Sequence, residues 1–232
     1  VYLTPAARDL SWVDPSQALL IPAAARAGGR LDYIVPDRVI GTRAVPPDWY
    51  AALGVEPRIE PFRNAAGRII GKVYSFDLPP AFARGTFAPP ALACDPAGAN
   101  FNDDLTLLGW RAAETAQPGT TLPLTLYWEA RGPGRRSWQM FVHLVATPDA
   151  PRRLAQQDAN GAFARGLAPG DLVIGRYQLA LDPAAQAGQT FFQIGLYDLD
   201  IARYPRAPLL TAACPSNTTR DAVILPGPTI GP

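Results

Sequence analysis

Thr121-Leu122-Pro123-Leu124-Thr125-Leu126-Tyr127-Trp128-Glu129-Ala130 is the stretch that decides the fold. Leu122, Leu124, Leu126 and Trp128 fall on one side of an extended chain, with Thr125, Tyr127 and Glu129 on the other. A period of two over this length reads as a strand with one face in a core. Pro118-Gly119 precedes it and Gly132-Pro133-Gly134 follows it, so turns punctuate both ends.

The pattern continues outward. Trp138–Ala146 is apolar on both sides, with Met140, Val142 and Leu144 against Phe141, His143 and Val145, and so reads as a central strand. Leu105–Trp110, Leu154–Asp158, Leu172–Leu181, Phe191–Leu199 and Ala222–Leu225 complete the series. Phe192, Ile194 and Leu196 share one face of theirs. Short strands separated by Pro/Gly turns at this spacing predict a mainly β fold, an antiparallel β-sandwich of jelly-roll or Ig-like type.

The first 80 residues have another texture. Asp14 or Ser16 can cap a helix running to about Ala27, kinked at Pro22 and stopped by Gly28-Gly29. Leu31–Val35 reads as a strand and Pro47–Leu53 as a short helix. Arg58–Phe62 and Arg68–Phe76 flank Asn64-Ala65-Ala66-Gly67 and read as a hairpin at a sheet edge. The expected organisation is a small α/β module over 1–80, a Pro-rich linker over 81–90 and the sandwich over 91–232.

Composition excludes some functions. Basic residues number 10 against 8 acidic before Gly85, and 11 against 12 from it onward. Neither part has the basic excess that a phosphate backbone requires, so nucleic acid is not an expected partner. The longest apolar run, Ala18–Ala25, is broken by Pro22 and falls far short of the roughly 20 residues of a membrane helix. The chain opens on Val1, which reads as an excised fragment.

Chemistry-bearing groups are sparse. His143 is the only histidine and sits on a predicted central strand. A second histidine for a metal site is missing, so a structural hydrogen bond to Gln156, Gln157 or Asp158 on the next strand is expected. Asn100, Asn102, Asp103 and Asp104 make an oxygen-rich loop, either a solvated turn or a structural calcium site. Asp198 and Asp200 near Arg203 read as a turn with a local ion pair. No Gly-x-Ser-x-Gly elbow is present, and Glu114 and Glu129 are the only glutamates after residue 90. No catalytic residue and no cofactor are expected. Of the aromatic residues, Tyr127 and Tyr197 fall on the faces opposite the core, where a ring could stack on a sugar.

Cys94 and Cys214 flank the sandwich. A disulfide between its ends would imply an oxidising, extracytoplasmic setting. Closing so long a loop would stabilise by about 4–5 kcal/mol in the chain-entropy model. Two buried free thiols are the alternative.

Several segments together resemble a known protein group. They are Asn100-Phe101, Leu107-Leu108-Gly109-Trp110, the Leu122-to-Trp128 strand, Phe141-Val142-His143-Leu144, Gln157-Asp158, Leu167-Ala168-Pro169-Gly170-Asp171 and Gly195-Leu196-Tyr197-Asp198. They resemble the C-terminal β-sandwich of large bacterial membrane glycosyltransferases similar to the dolichyl-phosphate-mannose mannosyltransferases, frequent in Chloroflexi-like bacteria. Val1–Pro5 and Val73–Leu78 resemble the small unit that follows the last membrane helix in that family. The resemblance implies an extracytoplasmic accessory region, tethered through absent upstream helices and presenting a glycan or cell-surface partner. The family's catalytic acids lie in the membrane portion, and none of them has a counterpart here. A glycan-processing enzyme and a purely structural spacer are the rival expectations.

Overall fold

The computed structural model describes residues 18–36, 54–80, 91–92, 98–158, 166–210 and 219–231. The linker at 81–90, the expected helix at Pro47–Leu53, Cys94 and Cys214 lie outside these described residues.

The chain is a mainly β, antiparallel sandwich. Its strands are β1 (Ala18–Ile21), β2 (Gly29–Pro36), β3 (Arg58–Arg63), β4 (Ile69–Leu78), β5 (Ala91–Leu92), β6 (Ala99–Phe101) and β7 (Leu105–Ala112). They continue as β8 (Thr115–Ala116), β9 (Thr121–Ala130), β10 (Trp138–Val145), β11 (Arg153–Asp158), β12 (Leu172–Ala180), β13 (Gly188–Asp198) and β14 (Val223–Ile230). One sheet runs β1-β12-β9-β7-β5, with β6 also on β7. The facing sheet runs β11-β10-β13-β14-β8, and a three-stranded sheet runs β2-β4-β3.

The two large sheets enclose the main core. Leu122, Leu124, Leu126 and Trp128 of β9 meet Met140, Val142 and Leu144 of β10 and Phe192, Ile194 and Leu196 of β13, as their alternation requires. Within it the Tyr177 hydroxyl donates to the Met140 thioether at 2.7 Å.

The three-stranded sheet forms a second apolar layer on the outer face of the first large sheet. Tyr33, Val35, Tyr74 and Phe76 pack there with Leu19, Ile21, Tyr127, Leu172 and Ile174. The Asn64 turn is built as expected: the Asn64 carboxamide oxygen accepts the N–H groups of Ala66 and Arg68, each at 3.0 Å, and Gly67 takes φ 75.

A helix from Asp14 or Ser16 through Ala27 does not form over its described part. Ala18–Ile21 is strand β1, and only Ala23–Ala27 coils into a 3-10 turn after an extended Pro22. The reason lies in the side chains. Ala18 and Leu20 enter the sandwich core while Leu19 and Ile21 enter the second layer. A continuous apolar run suits a strand covered on both faces better than a surface helix. β1 pairs along β12, Ala18 opposite Gly175 and Ile21 opposite Leu172.

Polar contacts fasten this N-terminal strand. The buried Asp171 carboxylate accepts the Ala23 N–H at 2.7 Å and the Ala168 N–H at 2.8 Å. Arg26 donates to the Glu129 carboxylate at 2.6 Å and to the Gly170 carbonyl at 2.9 Å.

Strand β14 extends past Leu225 through Pro226, Gly227 and Pro228. A register shift in β13 between Gln189 and Phe191 accommodates the prolines, and Thr190 donates its hydroxyl to the Pro228 carbonyl at 2.6 Å.

Candidate functional site

The outer face of the second large sheet carries the chemistry. On β10 it presents Phe141, His143 and Val145; opposite them on β13 stand Gly195, Gln193 and Phe191. Paired residues share a face. Gly195 is required here, because a Cβ would stand 2.4 Å from the Phe141 ring and 2.7 Å from the Asp221 carbonyl oxygen. The missing side chain lets the Phe141 ring lie flat on the sheet.

Three rings lie in a row, one pair stacked and the other tilted. Phe141 and His143 have centroids 4.9 Å apart at 29°. Phe141 and Tyr197 are 4.7 Å apart at 38°. Arg206 forms an isolated antiparallel bridge with Tyr197, which brings its side chain to the same face. Its guanidinium lies 4.6 Å from the Phe141 centroid and 5.7 Å from that of Tyr197. Asp221 faces Arg206 at 3.4 and 3.5 Å and accepts the Thr219 hydroxyl at 3.1 Å.

His143 occupies the buried end of this row, 1% exposed. Burial first, then the nearby Arg153 and Arg206 cations, lower its pKa to about 4, against a hydrogen bond with Gln193 that raises it. At neutral pH the imidazole is therefore uncharged. Gln193 also donates to the Pro148 carbonyl at 2.7 Å. Among the described residues His143 Nε2 has no hydrogen-bond partner.

Sequence reasoning placed some of these groups and missed others. His143 is on the central strand, with Gln156 opposite it on β11. No hydrogen bond to Gln156, Gln157 or Asp158 is formed among the described residues; Gln193 of β13, directly opposite, is the polar side chain that acts on the ring. Asp158 is not a core group. It stands opposite Phe141 on the sheet-edge strand β11 and is exposed, because a carboxylate at an edge stays hydrated.

Tyr197 lies on the outer face of its strand and is half-buried. Tyr127 is buried instead, 7% exposed, because the three-stranded sheet covers its face. Arg206 and Asp221 escaped notice, since each lies in an irregular segment whose proximity to Tyr197 depends on pairing beyond β13.

The polar side chains of the Asn100–Asp104 loop are engaged within the loop and by Trp138. Asn100 donates to Asp103 at 2.6 Å, while Asp104 accepts from Asn102 at 3.0 Å and from the Trp138 indole at 3.2 Å. Asn102 and Asp103 take φ 54 and 55, a left-handed turn that Asn and Asp tolerate. Among the described residues no group of three His, Cys, Asp or Glu is gathered to hold a metal. Asp198 takes Arg136 as its ion-pair partner at 2.6 Å, and Asp200 accepts the Ser137 N–H at 2.9 Å. Also among the described residues, no helix is long and apolar enough to cross a membrane.

No family model and no curated protein matches the chain. Among solved structures, it is similar to the CARDB domain of a Pyrococcus furiosus protein, solved in complex with di-metal ions. The identity is 11% and the TM-score 0.34, over 56% of this chain and 96% of that one.

Proposed function

We propose that these residues are a non-catalytic, extracytoplasmic accessory region of a membrane glycosyltransferase similar to the dolichyl-phosphate-mannose mannosyltransferases. In this reading, helices upstream of Val1 tether the region to the membrane. The sandwich holds or positions an acceptor glycan or another cell-surface partner. No cofactor takes part.

The observation that carries the glycan reading is Tyr197. Its ring is supported from within the sheet by Phe141 at 4.7 Å, yet remains partly exposed beside the Arg206 guanidinium, which Asp221 faces in turn. A rigid aromatic face next to hydrogen-bonding groups suits a sugar. The carboxylates offer little for acid–base chemistry. Glu129 is engaged by Arg26 at 2.6 Å, and Asp171 is buried and holds two backbone N–H groups.

Stacking on an open sheet face leaves much of a sugar in water. The expected affinity is millimolar to high micromolar, about −4 to −6 kcal/mol. A glycan array followed by isothermal titration tests the binding, and sequencing of the full gene tests the membrane tether. Robust glycosyl transfer or glycoside hydrolysis by the isolated chain would refute the non-catalytic assignment. The spacer reading draws on one observation, the burial of Tyr127, which removes half of the expected aromatic platform.

A further inference from the structure

Building on the glycan-accessory reading, we propose that Tyr197, Arg206 and Asp221 form a saccharide subsite that selects an uncharged sugar through two neighbouring hydroxyls.

The three groups meet on one sheet face and supply complementary chemistry. Tyr197 offers a ring to the C–H face of a pyranose. Arg206 is pre-oriented by stacking on Phe141 at 4.6 Å, so its donors are fixed before a ligand arrives. Its contacts with Asp221, at 3.4 and 3.5 Å, are longer than a strong charge-assisted pair. The Arg206 and Asp221 side chains remain 34% and 37% exposed. Guanidinium donors and carboxylate acceptors therefore both keep capacity for a further partner.

A hydroxyl can accept from Arg206 and donate to Asp221 at the same time. Two adjacent hydroxyls satisfy both groups more fully, which is the pattern a vicinal diol presents. Charge sets the selectivity. Arg206 and Asp221 together sum to zero, so an anionic sugar gains no net attraction and brings its charge against the Asp221 carboxylate. The scaffold holds the three groups in place: Tyr197 is on β13, Arg206 is bridged to it, and the Thr219 hydroxyl donates to Asp221.

The test is an NMR titration of the whole chain with mannotriose, maltotriose and trigalacturonate. A neutral trisaccharide should shift the amides of Tyr197, Arg206 and Asp221, and trigalacturonate should bind more weakly. Tyr197→Ala should weaken the neutral ligand at least tenfold. Tyr197→Phe, which keeps the ring and guards against misfolding, should stay within about twofold. Asp221→Asn, nearly isosteric, should weaken binding severalfold.

Binding of a neutral sugar that Asp221→Asn and Tyr197→Ala leave unchanged would overturn this subsite while leaving the accessory reading in place. Tighter binding of trigalacturonate would overturn the selectivity. Absence of binding to every saccharide on a broad array would bring down the glycan reading, and the subsite with it.

Discussion

Tyr33 caps the free edge of β1 at Leu20. Its hydroxyl accepts the Leu20 N–H at 2.8 Å and donates to the Leu20 carbonyl at 2.5 Å. Among the described residues β1 ends its sheet, so these two backbone groups have no next strand there to pair with. One phenol supplies both missing partners. Burial pushes its ionisation well above the ordinary tyrosine range, so it stays a donor. The same residue belongs to β2, and it thereby joins the three-stranded sheet to the sandwich by hydrogen bonds as well as by apolar packing.

Replacing Tyr33 with Phe keeps the ring and removes the cap. Two buried backbone groups then lose their partners, and stability should fall by about 2–3 kcal/mol. Urea denaturation measures it. A loss below about 0.5 kcal/mol would show that Leu20 finds other partners when the hydroxyl is gone.

His143 should give the fold an acid limit. Its folded pKa of about 4 lies below the unfolded value near 6.5. Between those values the unfolded chain binds a proton that the fold refuses, so stability falls as pH falls through this window. The loss should approach about 3 kcal/mol near pH 4, and His143 contributes no pH dependence above about 7. The chain has one histidine, so the slope between pH 5 and 6.5 is diagnostic. His143→Gln should flatten it, at a cost of about 1–3 kcal/mol at neutral pH. An unchanged slope in that variant would assign the acid sensitivity to other groups.

Gly195→Ala should destabilise by about 1–3 kcal/mol through overpacking. The added methyl meets the Phe141 ring at 2.4 Å and a backbone carbonyl at 2.7 Å, and only the ring can move. Near-ultraviolet circular dichroism should change as the Phe141–Tyr197 stack shifts. A variant with wild-type stability and spectrum would mean that the sheet relaxes at no cost.

Cys94 and Cys214 supply a test of compartment. Protein made under oxidising conditions, then unfolded without reductant, should yield no reactive thiol. Two titratable thiols would remove the disulfide and with it this argument for an extracytoplasmic setting.

Strands with a clean period of two were legible in the sequence. Thr121–Ala130 is a strand over its whole expected length, and Leu124, Leu126, Trp128, Val142, Ile194 and Leu196 are all buried. Elements whose identity depends on distant partners were not. Ala18–Ile21 is too short and too uniformly apolar to display a period, and only β12 and the second layer make it a strand. Tyr127 carries the same information. Alternation places it on the face opposite the core, but cannot tell that another sheet covers that face. At the candidate site, Tyr197 and His143 could be read from their strands. Arg206 and Asp221 reach the row through irregular segments that no local pattern announces.

The pairing of β1 with β12 also constrains how the molecule is made. Its two strands lie on either side of most of the described chain, so the contact is among the least local in the fold. Chain closure over such a span slows folding. During synthesis the β3–β4 hairpin can form early from neighbouring residues, while the apolar Ala18–Ile21 segment must wait until Leu172–Gly175 has emerged. Until then its four apolar residues lack the neighbours that bury them, the kind of exposure that makes partly folded chains prone to aggregate.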